Sequence, residues 1–537
     1  MSLTETIAPA APAVAPTARS LPGIVASAVV GTVAAGLALG AGHIVGGMSR
    51  SMASPVVAVG ERTITLVPVS VERFAIETFG GNDKLALVIG ITAASLVLGA
   101  VIGVVGRRRP MVSIAGFSAF AIVGIAASLN GRRSLFEAVL PSLVAAAVGI
   151  AYLAWVRPLV PRKTTTKLAP FTPEIPRERP KIATNTRRSF LIAVSAGAAG
   201  AVVFRTAGTA LRQRFNVGAS RASITLPPAT KPVAKLPDTV SAGVDGIAPF
   251  ITPNADFYRV DTALSVPQVA ADSWKLNIKG MVDKPFSITF DEILNRNLVE
   301  ADITLTCVSN TVGGKLLGTA RWLGIPLKDL LDEAGVRPGA DQIVGRSVDG
   351  YTGGFPLAAA YDRNAMVVIG MNGEPLPIEH GFPARLITPG LYGYVSATKW
   401  LTEIELTTFA AFDQYWVPRG WDAQATIKTM TRIDTPRSLS NLAAGQTVIG
   451  GVAWAQTRGI TKVEVRIDDG EWQEAALADE ANIDTWRQWS LPWNATTGRH
   501  TLTARATDGS GELQTETRAE VFPNGASGWH SFLVIVN

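Results

Sequence analysis

The residue with the most distinctive chemistry is Cys307, the only cysteine among 537 residues. It ends a β-branched run, Ile303-Thr304-Leu305-Thr306, and opens a polar, glycine-bearing stretch, Val308-Ser309-Asn310-Thr311-Val312-Gly313-Gly314. That pattern is a strand running into a loop. A lone thiol closes no disulfide within the chain. Two readings remain: a small buried hydrophobe, as free cysteines commonly are, or a soft thiolate ligand to a metal. Downstream stand a histidine and an arginine five residues apart, His380 and Arg385, then Thr398-Lys399-Trp400. An arginine fork and a lysine point charge suit phosphate. Taken singly, each has an ordinary alternative as an ion pair or a core residue.

Together these segments resemble the sulfite oxidase family of molybdopterin enzymes. The resemblance is carried by Thr306-Cys307-Val308-Ser309-Asn310, by Arg321-Trp322-Leu323-Gly324-Ile325-Pro326-Leu327, by Asn254 to Asp261, and by His380 to Arg385 with Thr398 to Trp400. It spans about residues 245–425 and continues weakly to about 525. It implies a molybdopterin cofactor whose metal takes Cys307 as its protein ligand. A metal-bound thiol is deprotonated. By the same resemblance, Asn254, Tyr258, Arg259 and Asp261 form one wall of the cofactor site. Asp349, His380, Arg385, Thr398, Lys399 and Trp400 complete it. The family's substrate-side tyrosine has no firm counterpart: Tyr415 and Trp421 both fall near the expected place. Arg321 and Arg419 are candidates for the charge facing an anionic substrate, or for structural pairs.

The elements that must position these residues follow from composition. The chain is too long for a single core. Hydrophobic residues make up 47% and charged residues 17%, with a net charge of +6. The surplus sits in clusters beside apolar runs, which argues against nucleic acid as a partner. Residues 1–20 read as a disordered lead-in. Four apolar runs, Leu21–Gly47, Leu85–Val105, Met111–Leu129 and Leu135–Val156, are each long enough to span a bilayer and occupy a four-helix region at 21–160. Arg107-Arg108-Arg109 and the basic linker 161–189 belong on the cytoplasmic side. Arg132 and Arg133 run against that orientation. Thr186-Arg187-Arg188-Ser189-Phe190-Leu191 resembles a twin-arginine export signal, the alternative being an ordinary basic flank, and 190–206 reads as a fifth span.

A proline-rich linker at 207–245 then leads to a catalytic α+β domain at 246–425. Residues 426–537 alternate short strands with turns, the pattern of a β-sandwich. They resemble the family's immunoglobulin-like dimerisation domain, so a homodimer is one arrangement to test. The expected architecture is multi-domain: a helical transmembrane bundle, an α+β molybdopterin domain, then an immunoglobulin-like β-sandwich.

The function implied is a membrane-anchored oxidoreductase on the extracytoplasmic side, transferring an oxygen atom in two-electron steps to or from a small substrate. No haem is expected, because His43 is the only histidine in the spans. Electrons therefore need a separate partner. The competing reading is a cofactor-free membrane receptor or scaffold that keeps the fold. A transporter ranks lower, because the spans lack ionisable residues that would mark an ion path.

Overall fold

The computed structural model describes residues 21–68, 71, 74–75, 78–79, 82–129, 133–160 and 182–537. The lead-in at 1–20 and most of the basic linker, 161–181, lie outside the described residues. The chain divides into two compact units, Met1–Phe215 and Asn216–Asn537.

The first unit is helical: α1 (Leu21–Gly46), α2 (Pro55–Leu66), α3 (Asp83–Val105), α4 (Pro110–Ser128), α5 (Leu135–Val156) and α6 (Ile182–Gln213). Five of the described helices are long and apolar enough to cross a membrane. Their starts have local causes. Ser134 caps α5 in a reciprocal box with Glu137, and proline opens α2 and α4, where its missing N–H costs nothing. Small residues let the backbones meet. A Cβ on Gly31 of α1 would fall 2.1 Å from the Gly99 carbonyl of α3, so only glycine permits this crossing. Helix α2 lies between the first two apolar runs, outside every span expected from the sequence. Helix α6 begins and ends beyond the expected 190–206, and its backbone includes the paired arginines.

The second unit contains two five-stranded sheets and a pair of sheets facing one another. In the first sheet Val299–Thr306 pairs antiparallel with Leu317–Pro326, which pairs with Met366–Met371. Arg385–Ile387 joins Met366–Met371 from the side. In the second, Phe286–Thr289, Lys275–Gly280, Leu401–Thr407, Gln342–Ser347 and Thr352–Pro356 lie side by side in that order. The core between them includes Ile303, Leu305, Trp322, Leu386 and Leu406, all essentially buried. The helix Leu327–Ala334 buries Leu327, Leu330, Leu331 and Ala334, the one-face spacing of an amphipathic helix. It stops at Gly335, whose φ of 69° suits glycine.

Beyond residue 426 a four-stranded and a five-stranded sheet share a second core, with Ile449, Val463, Trp489, Leu502 and Val534 fully buried. Met430–Thr435 is the edge of the four-stranded sheet, and His530–Val536 lies between Asn441–Leu442 and Gly498–Asp508 in the five-stranded one.

The segment expected to be a loose tether is docked in part on the second unit. Arg221 donates to the Leu376 carbonyl at 2.8 Å and pairs with Glu374 at 2.9 Å. The Thr230 N–H donates to the Leu298 carbonyl at 2.8 Å, and the Ala242 N–H to Gln488 at 2.8 Å. Prolines leave this segment extended, so its remaining N–H groups can reach strand edges. Local composition does not reveal such long-range partners.

Candidate active site

Cys307 follows directly on strand Val299–Thr306. Its N–H donates to the Leu316 carbonyl at 2.9 Å, and its own carbonyl accepts from Asn310 at 3.1 Å. The Asn310 side chain in turn accepts the Leu316 N–H at 2.8 Å. The loop between the two strands is thus closed by its own polar residues. Its tip, Gly313, has φ 77°, a conformation that glycine reaches without strain.

This loop and its strand are also held from the residues beyond 426. Gln456 Nε2 donates to the Thr304 carbonyl at 2.9 Å and to Thr306 Oγ1 at 3.0 Å. The Trp486 N–H donates to Thr304 Oγ1 at 2.7 Å. Arg432 donates to the Gly314 carbonyl at 2.8 Å. His530 packs against Gly313, and its Nδ1 accepts the Ile433 N–H at 3.0 Å. None of these braces was legible in the sequence, because each joins residues more than 90 positions apart.

The Cys307 thiol is buried, and burial pushes its pKa up. Donors from Ser309 and the positive charge of Lys399 oppose that rise. Burial also raises Tyr258 strongly, and the Cys307 and Arg385 charges act on it as well. Tyr258 is therefore a neutral donor at physiological pH. The same interactions put Cys307, Tyr258, Arg385 and Lys399 around one region.

Arg385 opens the short strand Arg385–Ile387, and Lys399 lies just before strand Leu401–Thr407. Arg385 is 6% exposed. Its Nη1 donates to the His380 carbonyl at 3.1 Å and its Nη2 to the Ala397 carbonyl at 3.2 Å. Its Nε is buried and has no partner. Burial pulls the guanidinium down to about 10. Lys399 is held by Asp261 at 2.8 Å and by the Glu379 carbonyl at 3.1 Å. Burial lowers it to about 8, while Asp261 pulls the other way. Asp261 also takes Arg259 at 2.8 Å. His380 is lowered to about 4, first by burial and then by Arg385 and Lys399, so it stays neutral. Its Nε2 lies 3.3 Å from the Asn254 carbonyl, and Asn254 is fixed by Asn372 at 2.8 Å. Trp400, at φ 47°, donates to the Ile378 carbonyl at 2.8 Å. Thr398 is buried beneath, its Oγ1 3.4 Å from the Gly345 carbonyl. Asn254, His380 and Arg385 are thus linked to one another, as are Arg259, Asp261, Lys399 and Trp400.

Asp349 shapes its own turn, accepting the Tyr351 N–H at 3.0 Å. Tyr351 is the residue that sequence reasoning missed. Burial raises its pKa well above the ordinary value, and the charges of Asp349 and Cys307 add to this. Its hydroxyl donates to the Tyr394 carbonyl, and its ring lies 5.4 Å from that of Tyr415. The doublet Gly353-Gly354 after it was the available signal, since glycines in a strand mark close approach.

Arg419 stacks over the Tyr415 ring at 3.9 Å, and Trp421 packs with Tyr394, Trp416 and Phe522. The Trp421 Nε1 is buried and donates to nothing. Arg321 is placed differently: it grips Asp302 bidentately, with both contacts at 2.8 Å, and donates to the Ala234 carbonyl at 3.2 Å. This geometry occupies its fork with a buried carboxylate and suits a structural pair.

Residues 263–416 match the family described as the oxidoreductase molybdopterin binding domain. Mitochondrial sulfite oxidase from Rattus norvegicus is 28% identical over 322 residues, 51% of this chain and 59% of the rat protein. Residues 263–416 thus form a molybdopterin-binding oxidoreductase domain similar to that of the sulfite oxidases. Nitrate reductase [NADH] 1 from Oryza sativa subsp. japonica is also 28% identical, over 333 residues, 50% of this chain and 36% of that protein. The sulfane dehydrogenase SoxCD from Paracoccus pantotrophus overlays 55% of this chain and 82% of its own, at 22% identity and a TM-score of 0.48. The chain thus spans about three-fifths of the length of the curated sulfite oxidase from rat.

The residues present fit molybdopterin. A buried arginine with one unpartnered nitrogen and a buried lysine suit the cofactor's phosphate and polar ring edges. A buried thiol within the field of that lysine suits the metal. Cys307 would be the donor available to the metal, and the residues from Asn254 to Trp400 would be those available to the pterin.

Proposed function

We propose that this chain is a membrane-anchored molybdopterin oxidoreductase acting on a small substrate outside the cytoplasmic membrane. The observation that carries the reading is the buried Cys307 thiol at a strand end, which feels the positive charge of the buried Lys399. Bound there, the cofactor supplies two-electron oxygen-atom transfer, either sulfite-like oxidation or reduction of a sulfoxide or N-oxide. The chain's own residues bind, orient and exclude water. Arg385 and Lys399 neutralise anionic oxygens in a site of low polarisability, where charge counts for more than in water. Tyr258 and Tyr351 keep their protons and donate hydrogen bonds. Arg419, stacked on Tyr415, is the proposed charge facing the substrate. Trp421 lines that side, with its indole N–H available as a donor.

The anchoring rests on the five long apolar helices, and the outward orientation on Arg107-Arg108-Arg109 and the paired Arg187-Arg188. An electron carrier separate from this chain serves the site. The residues from 426 onward form the family's immunoglobulin-like domain in this reading, and a homodimer through it is the arrangement to test.

The deciding experiment uses the full chain, purified from a host that makes the cofactor. About one molybdenum per chain is expected. Turnover is expected either with sulfite and an artificial electron acceptor, or with a sulfoxide or N-oxide and an artificial donor. Protein that folds but retains no molybdenum and turns over none of these is a scaffold, and the enzyme reading falls. Replacing Arg187 and Arg188 by lysine is expected to leave the second unit protected from external protease in spheroplasts. Normal accessibility would remove the export reading.

A further inference from the structure

The helical unit contains a cavity that the redox chemistry does not use. It has a volume of about 230 Å³ and lies where α1, α3, α4 and α5 meet, at the end of the unit marked by Arg107. Arg107 and Arg157 are among its lining residues. Arg157 Nη2 donates to the Arg107 carbonyl at 3.4 Å, while its Nε is buried and donates to nothing. The start of α4 lines it too, with Pro110 and Ser113. The residue before α4, Arg109, provides no side-chain cap for this end. The positive pole of a 19-residue helix therefore adds to the two cations. Among the described residues that line the cavity there is no carboxylate.

The remaining wall is apolar, including Ile114 and Leu153. The surface beside it exposes large hydrophobic side chains: Val105 is 56% exposed, Met111 73% and Trp155 59%. A concentrated positive charge bordered by exposed hydrocarbon is the chemistry of one occupant, an anion joined to an acyl chain.

We propose that this cavity holds the phosphate head of an anionic phospholipid, with Arg107 and Arg157 gripping the phosphate and the acyl chains lying along α4 and α5. The assignment rests on the unit being embedded in a membrane. The arginines would then sit at the cytoplasmic leaflet, where anionic lipids attract basic residues near the helix ends. The lipid would lock together four helices whose small residues otherwise provide modest contact area.

The test uses the full chain in an uncharged detergent, with phosphatidylglycerol, phosphatidylcholine or inorganic phosphate added at equal concentration. The readouts are the thermal midpoint and lipid retention in native mass spectrometry. Phosphatidylglycerol is expected to raise the midpoint and remain bound; the other two are expected to do neither. Replacing both Arg107 and Arg157 by glutamine should weaken phosphatidylglycerol retention at least ten-fold, with molybdenum content per chain unchanged as the folding control. The double lysine variant keeps the charge and should retain a preference for phosphatidylglycerol. Equal effects of phosphatidylcholine would overturn the proposal, as would equal effects of inorganic phosphate. So would undiminished retention in the glutamine variant. Should that variant fail to fold, loss of the lipid preference in the folded lysine variant would overturn it instead. Alkaline carbonate washing separates the underlying reading: release of the wild-type chain would show that it is not embedded, whereas retention without lipid preference would remove only this site.

Discussion

Replacing Gly313 by alanine tests whether the braced loop is what holds Cys307 in place. The φ of 77° puts an alanine there in the left-handed region, at a cost of roughly 1–2 kcal/mol. The new Cβ would lie 2.3 Å from His530 Nε2 and 2.5 Å from its Cδ2, so the ring must move. That ring is pinned by the Ile433 N–H at 3.0 Å and lies 5.0 Å from the Phe532 ring. Losing the hydrogen bond adds about 1 kcal/mol. The sum, roughly 2–3 kcal/mol, corresponds to a rise of about 30- to 150-fold in local opening of the loop. Hydrogen exchange of the Asn310 and Leu316 amides, both bonded within the loop, should accelerate by that factor, and purified protein should carry less molybdenum. Adding His530→Ala removes the clash but not the backbone strain, so exchange should slow again without returning to the wild-type rate. Wild-type exchange and full molybdenum content in Gly313→Ala would refute the bracing argument.

Three further outcomes follow from the geometry. Arg321→Leu strips the side-chain partner from Asp302, whose side chain is fully buried, and should cost about 3–5 kcal/mol of stability. Turnover per molybdenum should be unchanged and Asp302→Leu should restore the melting temperature; a selective loss of turnover would instead make Arg321 a catalytic residue. Arg385→Met removes two donors to backbone carbonyls and the unpartnered Nε; pterin retained after purification should fall more than ten-fold, and full retention would show that the cofactor's anionic group lies elsewhere. His380 and His530 are both lowered from 6.5 to about 4, chiefly by burial. A histidine kept neutral by folding contributes stability that is complete above pH 6.5 and declines as pH falls toward 4. The loss is up to about 3 kcal/mol for His380 and less for the half-buried His530. Thermal melts across this window should show it, and His530→Gln should flatten the slope; a slope unchanged in that variant would remove His530 from the account.

Much of this was legible residue by residue. The long apolar runs mark helices because a span is a local, one-dimensional signal, and Leu327–Ala334 declares itself by spacing and a glycine stop. Cys307, Arg385 and Lys399 stand out because their types are rare in a core unless they serve something. What stayed hidden is non-local. Helix α2 is too short to register as a span, and only Ser54 with Pro55 hinted at its start. The docking of the proline-rich segment depends on acceptors such as the Leu298 and Leu376 carbonyls, far away in sequence. Tyr351 is unremarkable in composition, and only the fold carries it to the thiol. Arg321 illustrates the converse: its position in a matching segment suggested charge for a substrate, whereas a strand register places it opposite Asp302.

The central claim is that the Cys307 sulfur is bonded to molybdenum. X-ray absorption at the molybdenum edge, on metal-loaded wild-type protein and on Cys307→Ser, reads that bond directly. The account predicts one fewer sulfur neighbour in the serine variant, together with lost turnover and a retained fold. An unchanged sulfur shell in a metal-loaded Cys307→Ser protein would contradict it.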